Sequence, residues 1–210
     1  MTAPTLLWKP SPLVLGTRNA GKHRELVALL EPWGLVVRSL ADFPQAVVVE
    51  ETGTTFAENA RLKACLQARH LGEWVLGEDS GICVDALDGA PGPRSARFAG
   101  PDATDERNNR RLLELLADVP PQRRTAHYVC YLVVADPQGK VAFECEAQCH
   151  GRITREPRGT TGFGYDPLFE VIEYHRTMAE LGDAVKSMIS HRARAMRRFL
   201  RALRFGPDCD

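Results

Sequence analysis

Apolar residues in this chain come in short blocks separated by polar turns, and the period of each block predicts its element. Leu13-Val14-Leu15-Gly16 is a continuous apolar run that closes on glycine, the pattern of a buried strand. Over residues 20–31, Leu26, Val27, Leu29 and Leu30 recur at helical spacing, and Gly34 follows as a stop signal. Leu35 to Val37 predicts a second strand. Thr55 followed by Glu58 is a capping box that opens a helix running to about His70. Trp74 to Gly81 reads as a strand running into a polar turn, and Ile82 to Leu87 as another strand. Residues 89–103 carry too much Gly and Pro for regular structure. Leu112, Leu113, Leu115 and Leu116 predict a helix over about 104–118.

The second half changes character. Residues 126–135 and 140–148 are apolar or alternating and are joined by Asp136-Pro137-Gln138-Gly139, a hairpin signal. A loop from Gly151 to Pro167 carries four glycines. Thr177 and Glu180 form a second capping box before a short helix, and a longer helix ends the chain. In that last helix Ile189, Met196, Phe199, Leu200 and Leu203 make one apolar stripe at about 100° per residue. Arg194, Arg197, Arg198, Arg201 and Arg204 fall off it, as a solvated face rather than a membrane or nucleic-acid helix. Early strands alternate with helices and later strands pair locally. The fold class is therefore α/β with a mixed sheet. No repeat, low-complexity tract or linker divides the chain, so residues 1–210 form a single domain, with room for two lobes.

Composition narrows the functional classes. With 27 basic and 27 acidic side chains the formal net charge is zero. Bulk electrostatic attachment to DNA or to a membrane is disfavoured, and no apolar run approaches the length of a membrane span. The six cysteines contain no C-x-x-C pair. Cys83, Cys130 and Cys145 sit in strand-like runs, where a free thiol packs as a small hydrophobe. This usage fits a reducing, cytoplasmic compartment. Cys145, Cys149 and His150 form a weak zinc pattern without a second ligand cluster.

Gly16 to Lys22 matches G-x-x-x-x-G-K, the spacing of a phosphate-gripping loop. A helix start offers N–H groups to anions and Lys22 adds charge. His23, however, stands where that motif needs a hydroxyl for Mg²⁺, and Asp136 begins a hairpin turn rather than ending a parallel strand. A P-loop kinase or GTPase is thus a poor fit. Other polar segments change the weight of the loop. Glu50-Glu51 precede a helix bearing Glu58, Asn59 and Lys63, and Asn59 and Lys63 share a face with Phe56. Glu78-Asp79-Ser80 is read as lying directly after a strand, where open α/β sheets place ligands. Two acidic pairs with Lys22 and Lys63 look like a Mg²⁺–triphosphate site, since Mg²⁺ takes carboxylate oxygens together with phosphates. Phe163, between Gly162 and Gly164, is placed to stack on a base. Arg192 projects toward the apolar side of the last helix, and a buried Arg needs a partner, which a bound ligand would supply.

These segments, in this order, closely resemble the noncanonical purine NTP pyrophosphatases, also called inosine triphosphate pyrophosphatases. The segments are TRNAGK (17–22), EETGTTFAENARLKA (50–64), EDSGICVDALDGAPGPRSARFAG (78–100), GFGYDP (162–167), TMAEL (177–181) and KSMISHR (186–192). The resemblance implies a two-lobed α/β fold with a long, bent mixed sheet, an active-site cleft between lobes, and a homodimer. It implies a Mg²⁺-dependent hydrolysis of ITP, dITP and XTP to the monophosphate and pyrophosphate, cleansing the nucleotide pool. By the same resemblance Thr17, Arg18, Asn19, Ala20, Gly21 and Lys22 hold the triphosphate, with Lys63 nearby. Asp79 is the general base and a metal neighbour, Ser80 a substrate contact, and Glu51 a Mg²⁺ ligand, with Glu50 and Glu78 as further metal candidates. Phe163, Gly164, Tyr165 and Asp166 cradle base and sugar, and Lys186, His191 and Arg192 read the base. Three positions depart from the family pattern: Arg18 and Thr161 stand where Gly is usual, and Glu78 where Asp is commoner. A sister pyrophosphatase acting on pyrimidine or modified nucleotides is the nearest rival. A nucleic-acid module using the Arg-rich helix is a distant one.

Overall fold

A computed structural model describes residues 7–206. Its strands are β1 (Leu13–Leu15), β2 (Val37–Ser39), β3 (Trp74–Val84), β4 (Thr125–Ala135), β5 (Val141–Ile153), β6 (Phe169–Val171) and β7 (Arg176–Thr177). Its helices are α1 (Ala20–Leu30), α2 (Phe56–Leu71), α3 (Asp105–Leu115), α4 (Met178–Ile189) and α5 (His191–Phe205). The strands form one sheet in the order β2-β1-β3-β4-β5-β6-β7. β1 is parallel to β2 and β3, while β6 is antiparallel to β5 and β7. The sheet is mixed and the class is α/β.

The chain divides into two compact units. One holds the described residues up to Asp79, Cys130–Ala147, and those from Arg192 onward; the other holds Ser80–Val129 and Gln148–His191. In the first unit the strand period of two sorts the core onto two faces. Leu13, Leu15, Leu76, Leu132 and Val134 pack with Leu26 and Leu30 of α1 and Met196, Phe199 and Leu203 of α5. The intervening Val14, Val75, Val133 and Ala135 pack with Ala60, Ala64 and Ala68 of α2. The small residues of α2 bring it close to β3: a Cβ on Gly77 would lie 2.7 Å from the Ala64 nitrogen and 2.9 Å from the Ala60 carbonyl oxygen. In the second unit, Ile82, Val84, Tyr128, Cys149, Phe169 and Val171 of the sheet pack with Leu112, Leu116 and Met178.

Several boundaries differ from the sequence reading. The strand, turn and strand expected over 74–87 are one continuous strand, β3, followed by a single 3₁₀ turn at Asp85–Leu87. The polar run Glu78-Asp79-Ser80 suggests a turn, but the Glu78 and Asp79 side chains find charged partners and the backbone stays in the ladder. β2 begins two residues later than expected. β5 runs to Ile153, so Gly151 is a strand residue whose missing side chain admits the Phe169 ring. The Pro-rich segment contains a 3₁₀ turn at Gly92–Arg97. α4 is kinked at Gly182, where φ is 75° and ψ is 170°. Ile189 closes α4 and belongs to the core of the second unit rather than to the stripe of α5. Both expected capping boxes are present, at Thr55/Glu58 and Thr177/Glu180. Glu58 is therefore committed to backbone N–H groups of Thr54 and Thr55. The five arginines assigned to the solvated face of α5 are all exposed.

Candidate active site

In the first unit the centre of β3 collects the charges. Adjacent strand residues point to opposite faces, so Glu78 meets α1 and α5 while Asp79 meets α2. Asp79 is 4 % exposed. Its Oδ1 accepts from Lys63 Nζ at 2.8 Å and its Oδ2 from Asn59 Nδ2 at 3.3 Å. Lys63 also pairs with Glu51 at 3.3 Å. Asn59, fully buried, uses its Oδ1 to accept from the Gly53 N–H at 2.9 Å, which ties the segment carrying Glu51 to α2. Burial pushes the Asp79 carboxyl above its ordinary value, against the pull of Lys63 and Lys22. The result is a carboxylate more basic than one in water, with oxygens shared by a cation and an amide.

On the opposite face Glu78 is buried, and both of its oxygens are engaged. Arg192 grips it with Nη2 on Oε1 and Nε on Oε2, each at 2.9 Å. Lys22 lies 3.2 Å from Oε1, and the Cys130 thiol donates to Oε2 at 3.2 Å. Burial is the largest influence on Glu78 and opposes its charge, yet Arg192 and Lys22 together hold it well below the ordinary carboxylate range. Arg192 in turn pairs with Glu25 of α1. The inward arginine expected to need a ligand thus has its partners within the protein, which corrects that part of the sequence argument. Glu25 and Cys130 were not legible beforehand. Glu25 follows Lys22 by three residues on α1, a spacing that puts both on one helix face, whereas a cysteine in an apolar strand carries no such signal.

The loop after β1 is built as a helix start. Asn19 caps α1 by accepting from the Lys22 N–H at 2.9 Å, and Thr17 Oγ1 accepts from the Asn19 N–H at 3.2 Å. Arg18 reaches out to donate to the Ala46 carbonyl at 3.1 Å. Ala20 and Gly21 form the first turn, with Lys22 turned toward β3. Glu50 is exposed and stands apart from these contacts. Asp136 accepts from the Gln138 and Lys140 N–H groups, closing the turn between β4 and β5.

The second unit carries its own cluster. Asp166 is 2 % exposed; its Oδ2 accepts from the Phe163 N–H at 3.0 Å and pairs closely with Lys186 Nζ. Gly162 makes this turn possible: its φ is 80°, and a Cβ there would lie 2.1 Å from Asp166 Oδ2. Lys186 Nζ also sits 4.5 Å from the centre of the Phe163 ring. His191 is buried and stacks on Tyr128, with ring centres 4.6 Å apart and planes within 6°. Gly164 is clamped by Asp105, which accepts its N–H at 2.6 Å, and by Asn109, which donates to its carbonyl at 3.0 Å. Thr161 donates to the Ala179 carbonyl at 2.7 Å, which pins the loop to α4. Tyr165 turns into the core and donates to the Ser95 carbonyl at 2.8 Å. Ser80, in the middle of β3, begins this unit.

Glu51 and Asp79 are hard oxygen donors converging on one cation, and Mg²⁺ typically takes one or two carboxylates plus substrate phosphates. The pair therefore fits Mg²⁺. Among the described residues no group of three His, Cys, Asp or Glu side chains is arranged to hold a metal unaided, which removes the Cys145–Cys149–His150 pattern as a metal site. No helix among them is long and apolar enough to cross a membrane.

The family model described as Ham1 family matches residues 13–202. The dITP/XTP pyrophosphatase of Rhodopirellula baltica is 50% identical over 188 residues, covering 90% of each chain. That of Geobacillus kaustophilus is 52% identical over 184 residues, covering 88% of this chain and 90% of the relative. Among solved structures, a HAM1 protein from Coxiella burnetii superposes with a TM-score of 0.83 at 37% identity, covering 91% of this chain and 97% of the other.

Proposed function

The chain belongs to the Ham1 family, and from that premise we propose that it hydrolyses purine nucleoside triphosphates carrying deaminated bases, ITP, dITP and XTP, to the monophosphate and pyrophosphate. The observation that carries this reading is the buried Asp79, held by Lys63 and Asn59, beside Glu51 and within the field of Lys22. Cleaving the α–β bond builds charge on phosphoryl oxygens, so catalysis rests on positioning and electrostatic stabilisation. Lys22, Lys63 and the N–H groups at the start of α1 would hold the triphosphate, with Thr17 and Asn19 fixing that helix start. Glu51 and Asp79 would hold Mg²⁺, with Glu50 at the margin and Glu78 setting the charge behind Lys22. When bound, Mg²⁺ supplies neutralisation of phosphoryl oxygens. Asp79 would align the attacking water and take its proton. The raised basicity of a buried carboxylate suits that step.

Base selection would rest with the second unit. Phe163 offers a ring face, Asp166 and Ser80 acceptors, and Lys186 and His191 donors toward a 6-keto group, with Arg192 next in sequence. An adenine amino group facing donors leaves them unpaired, which rejects a wrong substrate by up to about 10⁴–10⁵. Tyr165 would support the loop from the core side. The same reading carries with it a homodimer and a cytoplasmic location. A panel of ITP, dITP, XTP, ATP, GTP, CTP and UTP with Mg²⁺ tests it. Pyrophosphate should appear with the first three, and orthophosphate as the primary product, or pyrimidine turnover alone, would overturn it.

A further inference from the structure

The second unit contains a positive charge that its neighbours do not balance. Arg124 immediately precedes β4 and is 3 % exposed. Its Nη1 donates to the Thr154 carbonyl and its Nη2 to the Leu116 carbonyl, both at 2.9 Å and both neutral acceptors. Its Nε is buried without a hydrogen-bond partner. A guanidinium does not give up its proton in a protein, and an unpaired buried charge is strongly destabilising. Burial and the nearby charge of Arg155 both work against the ionised form.

Arg124 lines a cavity of about 250 Å³ whose other charged residues are Arg152, Arg155, Arg158, Glu156 and Glu170. The lining holds four arginines and two carboxylates, and Glu180 also pairs with Arg158 at 3.6 Å, which leaves an excess of one positive charge. Glu170 is already divided between Arg152 at 2.6 Å and Arg158 at 2.8 Å. Arg155 and Arg124 are left as the cations without a carboxylate bond. At roughly 30 Å³ per water, the cavity has the room of about eight waters, enough for an anion of several heavy atoms. None of these residues belongs to the nucleotide clusters described above.

We propose that this cavity binds a phosphate-class dianion, orthophosphate or pyrophosphate, through the guanidinium of Arg155, with the unbalanced charge of Arg124 in the same lining adding to the attraction. The arginine fork matches phosphate oxygens, and charge-assisted hydrogen bonds of this kind are about twice as strong as neutral ones.

Calorimetric titration of the whole protein with orthophosphate and, separately, with pyrophosphate at constant ionic strength tests the assignment. Wild type should bind with one site that survives Lys22→Ala, a substitution in the nucleotide cluster. Arg155→Ala, at an exposed position, should weaken that site about tenfold or more, the size of a lost charge-assisted bond, and leave NTP turnover unchanged. Arg124→Met should weaken it as well. Should Arg124→Met fail to fold, Arg155→Ala decides alone. The relative affinities in the two arms identify the physiological anion. Equal affinity in wild type and Arg155→Ala, or loss only in Lys22→Ala, overturns the proposal and leaves the catalytic reading untouched.

Discussion

Replacing Glu78 by Gln probes the charge pattern behind the candidate catalytic strand. The side chain keeps its shape and loses one negative charge. In the native protein Glu78 and Glu25 balance Arg192 and Lys22, two charges of each sign. In the variant Arg192, 1 % exposed, keeps Glu25 but loses the charge of Glu78, and the cluster of these four side chains carries a net positive charge. Breaking a buried pair from one side costs about 3–5 kcal/mol. For a chain of this size each kcal/mol is worth roughly 2–4 °C, so the melting temperature should fall by about 6–20 °C. The effect should depend on pH in a definite direction. The folded-state pKa of Glu78 lies well below its ordinary value of 4.5. Its contribution is therefore fully present above 4.5 and lost as pH falls through the lower folded-state value. Urea midpoints of wild type and Glu78→Gln should differ most near neutrality and converge on acidification below 4.5. A loss under about 1 kcal/mol at pH 7, the range of an exposed pair, would refute the assignment of a buried, doubly held carboxylate. So would a difference that stays constant down to pH 3.

Asp79→Asn should lower kcat for ITP by about 10²–10⁴-fold, the usual contribution of a general base, with a folded far-UV spectrum as control. The acid limb of the kcat/KM profile should lie above 3.8, the ordinary Asp value, because Asp79 must be ionised to accept a proton and burial raises its pKa. Since Lys63 pulls that pKa down, the residual activity of Lys63→Met should show the limb moved to higher pH. Gly77→Ala should destabilise by about 1–3 kcal/mol through overpacking against Ala60 and Ala64 and should lower kcat by displacing Lys63, measured by urea denaturation and ITP turnover. Tyr165→Phe should cost about 1–3 kcal/mol for the buried carbonyl of Ser95 left unpaired, with KM for ITP unchanged within twofold.

Much of this architecture was legible in the chain because local rules and tertiary packing agree. The capping boxes at Thr55 and Thr177 open α2 and α4 as expected, and the Asp136-Pro137-Gln138-Gly139 turn joins β4 to β5. The misreading at Glu78-Asp79-Ser80 arose because charge was taken as a sign of exposure. Successive charged residues in a strand are costly unless each face supplies counter-charges, and those come from α1, α2 and α5, between 16 and 114 residues away in sequence. Periodicity in one segment carries no information about such partners. Arg192 shows the same limit: its inward burial is as expected, but its partners are Glu78, a strand residue 114 positions earlier, and Glu25 of α1.

The strand period of two then gives those distant pairs their chemical meaning. Because β3 sends Glu78 and Asp79 to opposite faces, one carboxylate is locked by a bidentate arginine, a lysine and a thiol, while its neighbour is held by one lysine and one amide. The first is driven toward permanent ionisation and the second toward higher basicity. Two adjacent acids of similar intrinsic strength are thereby separated into a fixed charge and a more basic carboxylate, both within the field of Lys22. Exchanging the two chemistries in Glu78→Asp/Asp79→Glu should not conserve activity. The shorter acid at 78 loses its reach to Arg192, and the longer one at 79 crowds Lys63 and Asn59. Retention of more than about a tenth of wild-type kcat/KM in that double variant, a deficit under ~1.4 kcal/mol, would show that the face of the strand, not the length of the side chain, is all that the division requires.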